Sequence, residues 1–557
     1  MKMMKRVLSL ALAALMVMGV FAGCGGGDKV KVEYNEDGSV KQVNTAVVAY
    51  NSVGYGHEWL ETLADEFNKM YADEGYQVKL KISMAQENNA ALEIGKGADR
   101  NDVDLYLDAT NLESLLEASD KTMRGEGAVL LDMTDYVWNK PAIGLNKQEE
   151  TKTVADRYMM NKDYVYYNGK DERFHGGVYV LPTGMDLWSV GIVVNPSVTE
   201  QYGYGLDNLP RTTNELIAMS EKIAETSKKT GVYAYAWAGG NCSGYLAYLF
   251  YELFAQYTGY QDFLNFVETK PSTDATLEEI KSDGWKIYED QGILEAFKAM
   301  EPIMKPAFST NGSASMDHMA AQHQLLTGKA GFMIVGDWLL YQMKDQYYKE
   351  AAQCVMLNTP VLSVIGEECG ITDAELSNAV KMIDENKTDA EIMAAISGLD
   401  AAETARIREA RNIYGGGEAK VRTGMAIPAY ANGRDVAVLF ARFMCSEDAQ
   451  RIIRNEGYKV NCYECADYSF EKETQFMKSV MDNIDQGEGL YISMDNSLSI
   501  LRSNSNMLCF NHPTTAYPMT FKNMIMDSTG NMTAENLFDL EKKFAKQNWS
   551  TWVAYIK

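Results

Sequence analysis

From residue 46 onward, apolar positions fall into short runs of strand length that alternate with stretches of helical spacing. AVVAYNS at 46–52 is a strand rich in β-branched residues, and VGYG at 53–56 is a glycine-bearing turn. From His57, the residues Trp59, Leu60, Leu63, Ala64, Phe67, Met70 and Tyr71 recur at helical spacing, which predicts a helix running to Gly75. YQVKLKIS at 76–83 alternates as a strand does, AALEIG at 90–95 is a short helix, and DVDLYLDA at 102–109 is a third strand. The order βαβαβ predicts parallel strands joined by right-handed crossovers, with Asn51 to Gly56 and Asp108 to Asn111 along one edge.

The pattern continues through the rest of the chain. Two apolar runs in VYVLPTGMDLWSVGIVVNP at 178–196 flank Pro182, Gly184 and Asp186, which predicts a change of direction there. Thr212 and Glu215 have capping-box spacing at the start of a helix. Residues 231–260 are unusually aromatic: a strand carries Tyr233, Tyr235 and Trp237 on one face, a loop brings Asn241 and Ser243, and a helix follows with Tyr245, Leu249 and Phe250. At 323–343, a helix closes at Gly328, AGFMIV forms a strand ending at Gly336, and Asp337 stands at an N-cap position before Trp338, Leu339, Leu340 and Met343. A small residue, a carboxylate and a large aromatic at the carboxyl end of a strand lie where open α/β folds bind ligands. Thr372/Glu375, Thr388/Glu391 and Asp400/Glu403 predict three short helices in 373–413, ended by Gly415 to Gly417. The strand GMAIPAYA and one helix through 435–457 follow, and a last helix spans Thr533 to Lys557.

Length and charge narrow the classes. At 557 residues the chain is too long for one core, so two lobes are expected. The net charge of −25 grows more negative without residues 1–23, which carry Lys2, Lys5 and Arg6 and no acid. Such a body is repelled by phosphate backbones, which argues against nucleic acid as a partner. Residues 1–23 read as a signal peptide whose apolar stretch ends in Phe21-Ala22-Gly23-Cys24. This resembles a bacterial lipobox, with Phe21 in place of the usual Leu, and implies lipidation of Cys24. Residues 24–45 then form a flexible tether. The other seven cysteines, Cys462 and Cys465 among them, are read as buried free thiols.

The order of these motifs resembles the extracellular solute-binding proteins of ABC importers, especially the carbohydrate-binding group. The family opens with a hydrophobic strand, a polar loop and a helix. It continues with Y-x-x-P, here Tyr179 and Pro182, then a strand ending at Asn195, where Val194 replaces the usual Tyr. Pro210, Thr212, Glu215 and Leu216 match its next helix start, and Gly336 with Trp338 matches the G-x-W that presents a sugar-stacking aromatic. The resemblance implies an α/β, two-lobed, periplasmic-binding-protein-like (type II) fold with a hinge and an extra helical insertion. Its lobes would comprise 46–183 with 357–428 (insertion 373–413) and 184–356 with 429–557, hinged near 182–186, 356–361 and 426–430. It implies a lipid-anchored, monomeric receptor on the outer face of the cytoplasmic membrane, which hands a sugar or oligosaccharide to ABC permease subunits. The candidate ligand-binding residues are Asn51, Tyr55, Asp108, Asp186, Trp188, Trp237, Asn241, Asp337 and Trp338.

Enzyme chemistry has little support in the sequence. G-x-S-x-G, H-E-x-x-H, a Walker loop and G-x-G-x-x-G are all missing, and five histidines make a His-built metal site improbable. His57 and Glu61 share a helix face as an ordinary surface pair. No catalytic residue, metal or cofactor is expected. The competing readings are a secreted glycosidase, which needs only two carboxylates, and the same fold binding a peptide or another polar solute.

Overall fold

The computed structural model describes residue 35 and residues 44–554. Within the latter it excepts 53, 84–89, 110–114, 117–118, 120–126, 160–161, 168–170, 184–186, 241–244, 268–269, 415, 419–423, 460, 466–472, 486–489, 492–523 and 528–529. The first strands are β1 (Thr45–Asn51), β2 (Gln77–Ser83) and β3 (Leu105–Ala109), and β4 (Pro141–Ile143) and β5 (Glu149–Thr153) pair as a small separate ribbon. Then come β6 (Leu181–Pro182), β7 (Leu187–Val194), β8 (Tyr233–Tyr235), β9 (Ala330–Gly336) and β10 (Val355–Met356). The last are β11 (Ile413–Tyr414), β12 (Gly416–Glu418), β13 (Gly424–Ala426) and β14 (Leu490–Tyr491).

Two sheets organise two lobes. The first has the order β2-β1-β3-β13-β6, with β1 parallel to both β2 and β3 and with β13 antiparallel to its neighbours. The second has the order β10-β7-β9-β8, with β12 pairing along β7. Its central strand β9 is buried along its whole length. Phe332 and Ile334 enter one hydrophobic cluster and Met333 and Val335 the other, so both faces of the sheet are covered. That is why AGFMIV reads as an unbroken apolar run rather than an alternating one.

The βαβαβ opening forms as its spacing predicts. The helix Glu58–Met70 buries Trp59, Leu60, Leu63, Ala64 and Phe67 against the first sheet. Capping boxes at Thr212, Thr372, Thr388 and Asp400 start the helices Thr213–Thr230, Asp373–Asp384, Asp389–Ala395 and Ala401–Asn412. The single helix expected over 435–457 is instead two, Arg434–Met444 and Glu447–Gly457, because Ser446 accepts the Ala449 amide and caps a new start. Gly416 and Gly417, expected to end the insertion, form β12 instead.

The expected lobe boundaries need correction. Leu376, Val380, Ile392 and Ile407 of the insertion share the hydrophobic cluster of Ile192 and Phe332, so 373–413 packs with the second lobe rather than the first. Arg411 ties it there, donating to both Asp384 carboxylate oxygens (2.7 and 2.8 Å) and to the carbonyls of Asn358 and Thr359. Phe440, Phe443 and Ile453, assigned to the second lobe, pack in the first beside Phe67. Segment 356–361 is not a crossing, since the Leu357 amide bonds Ile192 O and the Val361 amide bonds Arg211 O, both at 2.8 Å on the second lobe. Nor is 426–430, which continues β13 and bridges Leu130 through Pro428 in the first lobe. The chain passes between sheets after Thr183, after Glu418 and between Cys465 and Gln475. The second of these passages falls some sixty residues after β10, on the far side of the helical insertion, where chain order does not mark it.

Candidate functional site

The carboxyl end of β1 delivers Asn51 and then Tyr55, flanked by Gly54 and Gly56, which both hold positive φ (88° and 66°). From the facing lobe, β9 ends at Gly336 and is followed by Asp337 and Trp338. Tyr55 Oη donates to Asp337 Oδ1 at 2.6 Å. Lys459 Nζ donates to Tyr55 Oη at 2.8 Å and to Asp337 Oδ2 at 3.3 Å, and stands 4.1 Å from the Tyr55 ring centroid. The side chains of Asp337 and Lys459 are completely buried. Two charges withdrawn from water are tolerated when they pair and their remaining lone pairs and protons are used. Here the phenol supplies that third partner. Burial first, and then the Asp337 carboxylate beside it, push the Tyr55 hydroxyl well above the ordinary tyrosine range, so it stays a proton donor.

Asp337 is therefore not the helix cap that its position suggested. The following helix starts at Leu339 with Trp338 at the cap position and no capping side chain. Trp338 is half-buried, edge-on to Tyr55 (ring centroids 6.3 Å apart) and tilted against Tyr245 (5.7 Å). Its indole folds back over Gly336, where any Cβ would come within 2.3 Å of the ring. Trp338 Nε1 and Asn51 Oδ1 are buried polar atoms without a hydrogen-bond partner. An unpaired buried donor and acceptor at the facing strand ends are groups that a bound polar molecule would satisfy.

At the rim the two lobes touch again. Glu58 at the head of the first helix accepts from Lys344 Nζ at 2.7 Å and from the Tyr341 hydroxyl, and Tyr341 lies over Gly56 with no room for a Cβ. Burial opposes ionisation of Glu58, but the hydrogen bonds from Lys344 and Tyr341 outweigh it and hold its carboxyl down at about 2.

The other candidates fall elsewhere. Trp237 is a correction: it lies in the core, 1% exposed and stacked on Tyr235 at 4.4 Å and 11°, because the segment after Ser309 runs alongside it, with Ser313 Oγ accepting the Trp237 amide and Tyr235 O the Thr310 amide. Asp108 lies in β3 and Trp188 in β7, both outside the residues whose side chains are described. Asp186, Asn241 and Cys24 lie outside the described residues altogether, as do Cys242 and Cys509. Cys354, Cys369, Cys445, Cys462 and Cys465 are buried and free, so Cys462 and Cys465 are not bonded to each other.

Lys459 was missed from sequence. It follows Tyr458, whose left-handed backbone (φ 53°) ends the helix Glu447–Gly457 and turns the next residue inward. A non-glycine residue in that region is uncommon, and a lysine after a helix end carries no pattern that marks it as buried. Among the described residues, no group of three or more His, Cys, Asp and Glu gathers as a metal site, and no helix is long and apolar enough to cross a membrane.

Two α/β lobes, crossed repeatedly by the chain, meet at an aromatic and carboxylate edge. The family model of the bacterial extracellular solute-binding proteins matches residues 55–451, and this chain belongs to that family. Members of that family bind solutes and are not defined by catalysis. No curated protein matches the chain. Among solved structures, a chitin oligosaccharide binding protein is similar at a TM-score of 0.55 and 16% identity, covering 91% of this chain and 99% of its own. A structure from work on xylan utilisation by the thermophilic bacterium Caldanaerobius polysaccharolyticus is similar at a TM-score of 0.55 and 13% identity, covering 90% and 99%. The bacterial solute receptor AcbH, described as preferring β-D-galactopyranose, follows at 0.51 and 12%, covering 91% and 100%. At these identities the likeness establishes the fold.

Proposed function

We propose that this protein is a lipid-anchored receptor of an ABC importer that captures a sugar or oligosaccharide between its lobes. The observation that carries the reading is the Gly336-Asp337-Trp338 edge facing Asn51 and Tyr55. An indole offers a face for the C–H surface of a sugar ring, while carboxylate and amide groups offer partners to its hydroxyls. The sugar ligands named for the similar structures support the same class. The lobes close on the solute, and delivery requires only that the permease recognise the closed form. No covalent step is needed. The anchor is assigned to Cys24, with the body on the outer face of the cytoplasmic membrane as a monomer.

A thermal-shift screen against chito-, xylo- and malto-oligosaccharides and raffinose tests the ligand class. A true ligand at about 100 times its Kd adds about 2.7 kcal/mol of stability. Product analysis on the best binder should return it intact, and shortened products would instead indicate a glycosidase. Cys24→Ala should release folded protein from the membrane fraction, and retention after a high-salt wash would contradict the anchor.

A further inference from the structure

Tyr55 Oη has an unusual position for a side chain at the mouth of a binding cleft. It donates its one proton to Asp337 Oδ1 at 2.6 Å and accepts from Lys459 Nζ at 2.8 Å. Lys459 Nζ also reaches Asp337 Oδ2 at 3.3 Å, and both charged side chains are fully buried. One oxygen that gives one hydrogen bond and takes another is the hydrogen-bonding pattern of any alcohol. We propose that Asp337 and Lys459 together form a receptor for one neutral hydroxyl group, and that Tyr55 Oη occupies it as an internal stand-in for a ligand hydroxyl.

The charges select the class of group. Asp337 and Lys459 already neutralise each other, so an ammonium or a carboxylate placed between them would lose its water while its attraction to one member is offset by repulsion from the other. A neutral hydroxyl satisfies both members of the pair, so the site favours a polyhydroxy solute over an amino acid or a peptide terminus. This assignment rests on reading the cleft as the sugar site. Tyr55 belongs to the loop after β1 in the first lobe, and Asp337 to the end of β9 in the second. Lys459 follows the helix Glu447–Gly457 and stands on the first lobe with Tyr55, so separation of the lobes parts Asp337 from both, and closure on a solute brings Asp337 and Lys459 together around its hydroxyl. A ligand hydroxyl that takes the place of Tyr55 Oη exchanges one set of hydrogen bonds for an equal set, so the internal contact lowers apparent affinity.

Tyr55→Phe tests this while leaving the buried ion pair intact and keeping the ring beside Lys459 and Trp338. Titration calorimetry of wild type and variant against chitotriose, xylotriose, maltotriose and raffinose should show the variant binding its best sugar about tenfold more tightly or better, the scale of a hydrogen bond to a charged group. Small-angle scattering without sugar should show the variant more expanded than wild type. Affinity that is weaker, or unchanged within twofold, overturns the proposal, since Tyr55 would then be a ligand contact or a bystander. If no sugar in the panel binds either protein, the sugar reading fails separately. Scattering then decides the internal contact: expansion of the variant upholds it, and an unchanged radius overturns it.

Discussion

Trp237 and Trp338 follow parallel neighbouring strands of one sheet, β8 and β9, yet one is fully buried while the other is half-buried and edge-on to Tyr55 of the opposite lobe. Trp237 extends a three-residue strand whose own Tyr235 stacks flat against it, and the helix Tyr245–Thr258 closes over the same cluster. Trp338 follows a strand more than twice as long, after a glycine that leaves its indole room to fold back over the strand end. An aromatic after a strand is thus placed by what the last strand residue leaves open. The residue type alone does not decide it.

The largest effect expected from this contrast is on stability. Trp237→Ala removes a fully buried ring and leaves a cavity, at a cost of about 3 to 5 kcal/mol. Its ligand-free melting temperature should fall steeply, while the folded fraction keeps its sugar affinity. Trp338→Ala should do the reverse, losing about 1 to 3 kcal/mol of binding, or about 5- to 150-fold in Kd, with a much smaller fall in melting temperature. If the two variants give the same pattern in calorimetry and thermal denaturation, the contrast is broken.

The smallest effect concerns the rim. The carboxyl of Glu58 is lowered from 4.5 to about 2, so the stability it contributes is present above about pH 4.5 and lost as pH falls through about 2. Its side chain is about half exposed, and solvent screening keeps the effect under about 1 kcal/mol. Glu58→Gln should therefore flatten the wild-type stability profile between pH 4.5 and 2 without changing it near pH 7. An unchanged acid profile would remove Glu58 from the contact between lobes.

Much of this was legible in the sequence, for identifiable reasons. The βαβαβ opening, the capping boxes and the β9 run rest on local chemistry, namely spacing, hydroxyl caps and β-branched content, and they form where that chemistry puts them. Asn51, Tyr55, Asp337 and Trp338 are expected at the site because strand ends concentrate ligand groups, and the structure brings Tyr55 against Asp337 and Trp338. The lobe membership of 373–413 and 434–457 depends on which sheet each apolar face meets, and an amphipathic helix presents the same stripe to either. Lys459 was invisible for a related reason. Its burial follows from the left-handed turn at Tyr458 and from two partners over 100 residues away in sequence.

The most direct measurement is a crystal structure with the sugar that gives the largest thermal shift. The account predicts a pyranose ring against the Trp338 indole, with one sugar hydroxyl between Asp337 and Lys459 where Tyr55 Oη now lies. A sugar bound elsewhere, with the Tyr55, Asp337 and Lys459 contacts unchanged and Trp338 untouched, would contradict it.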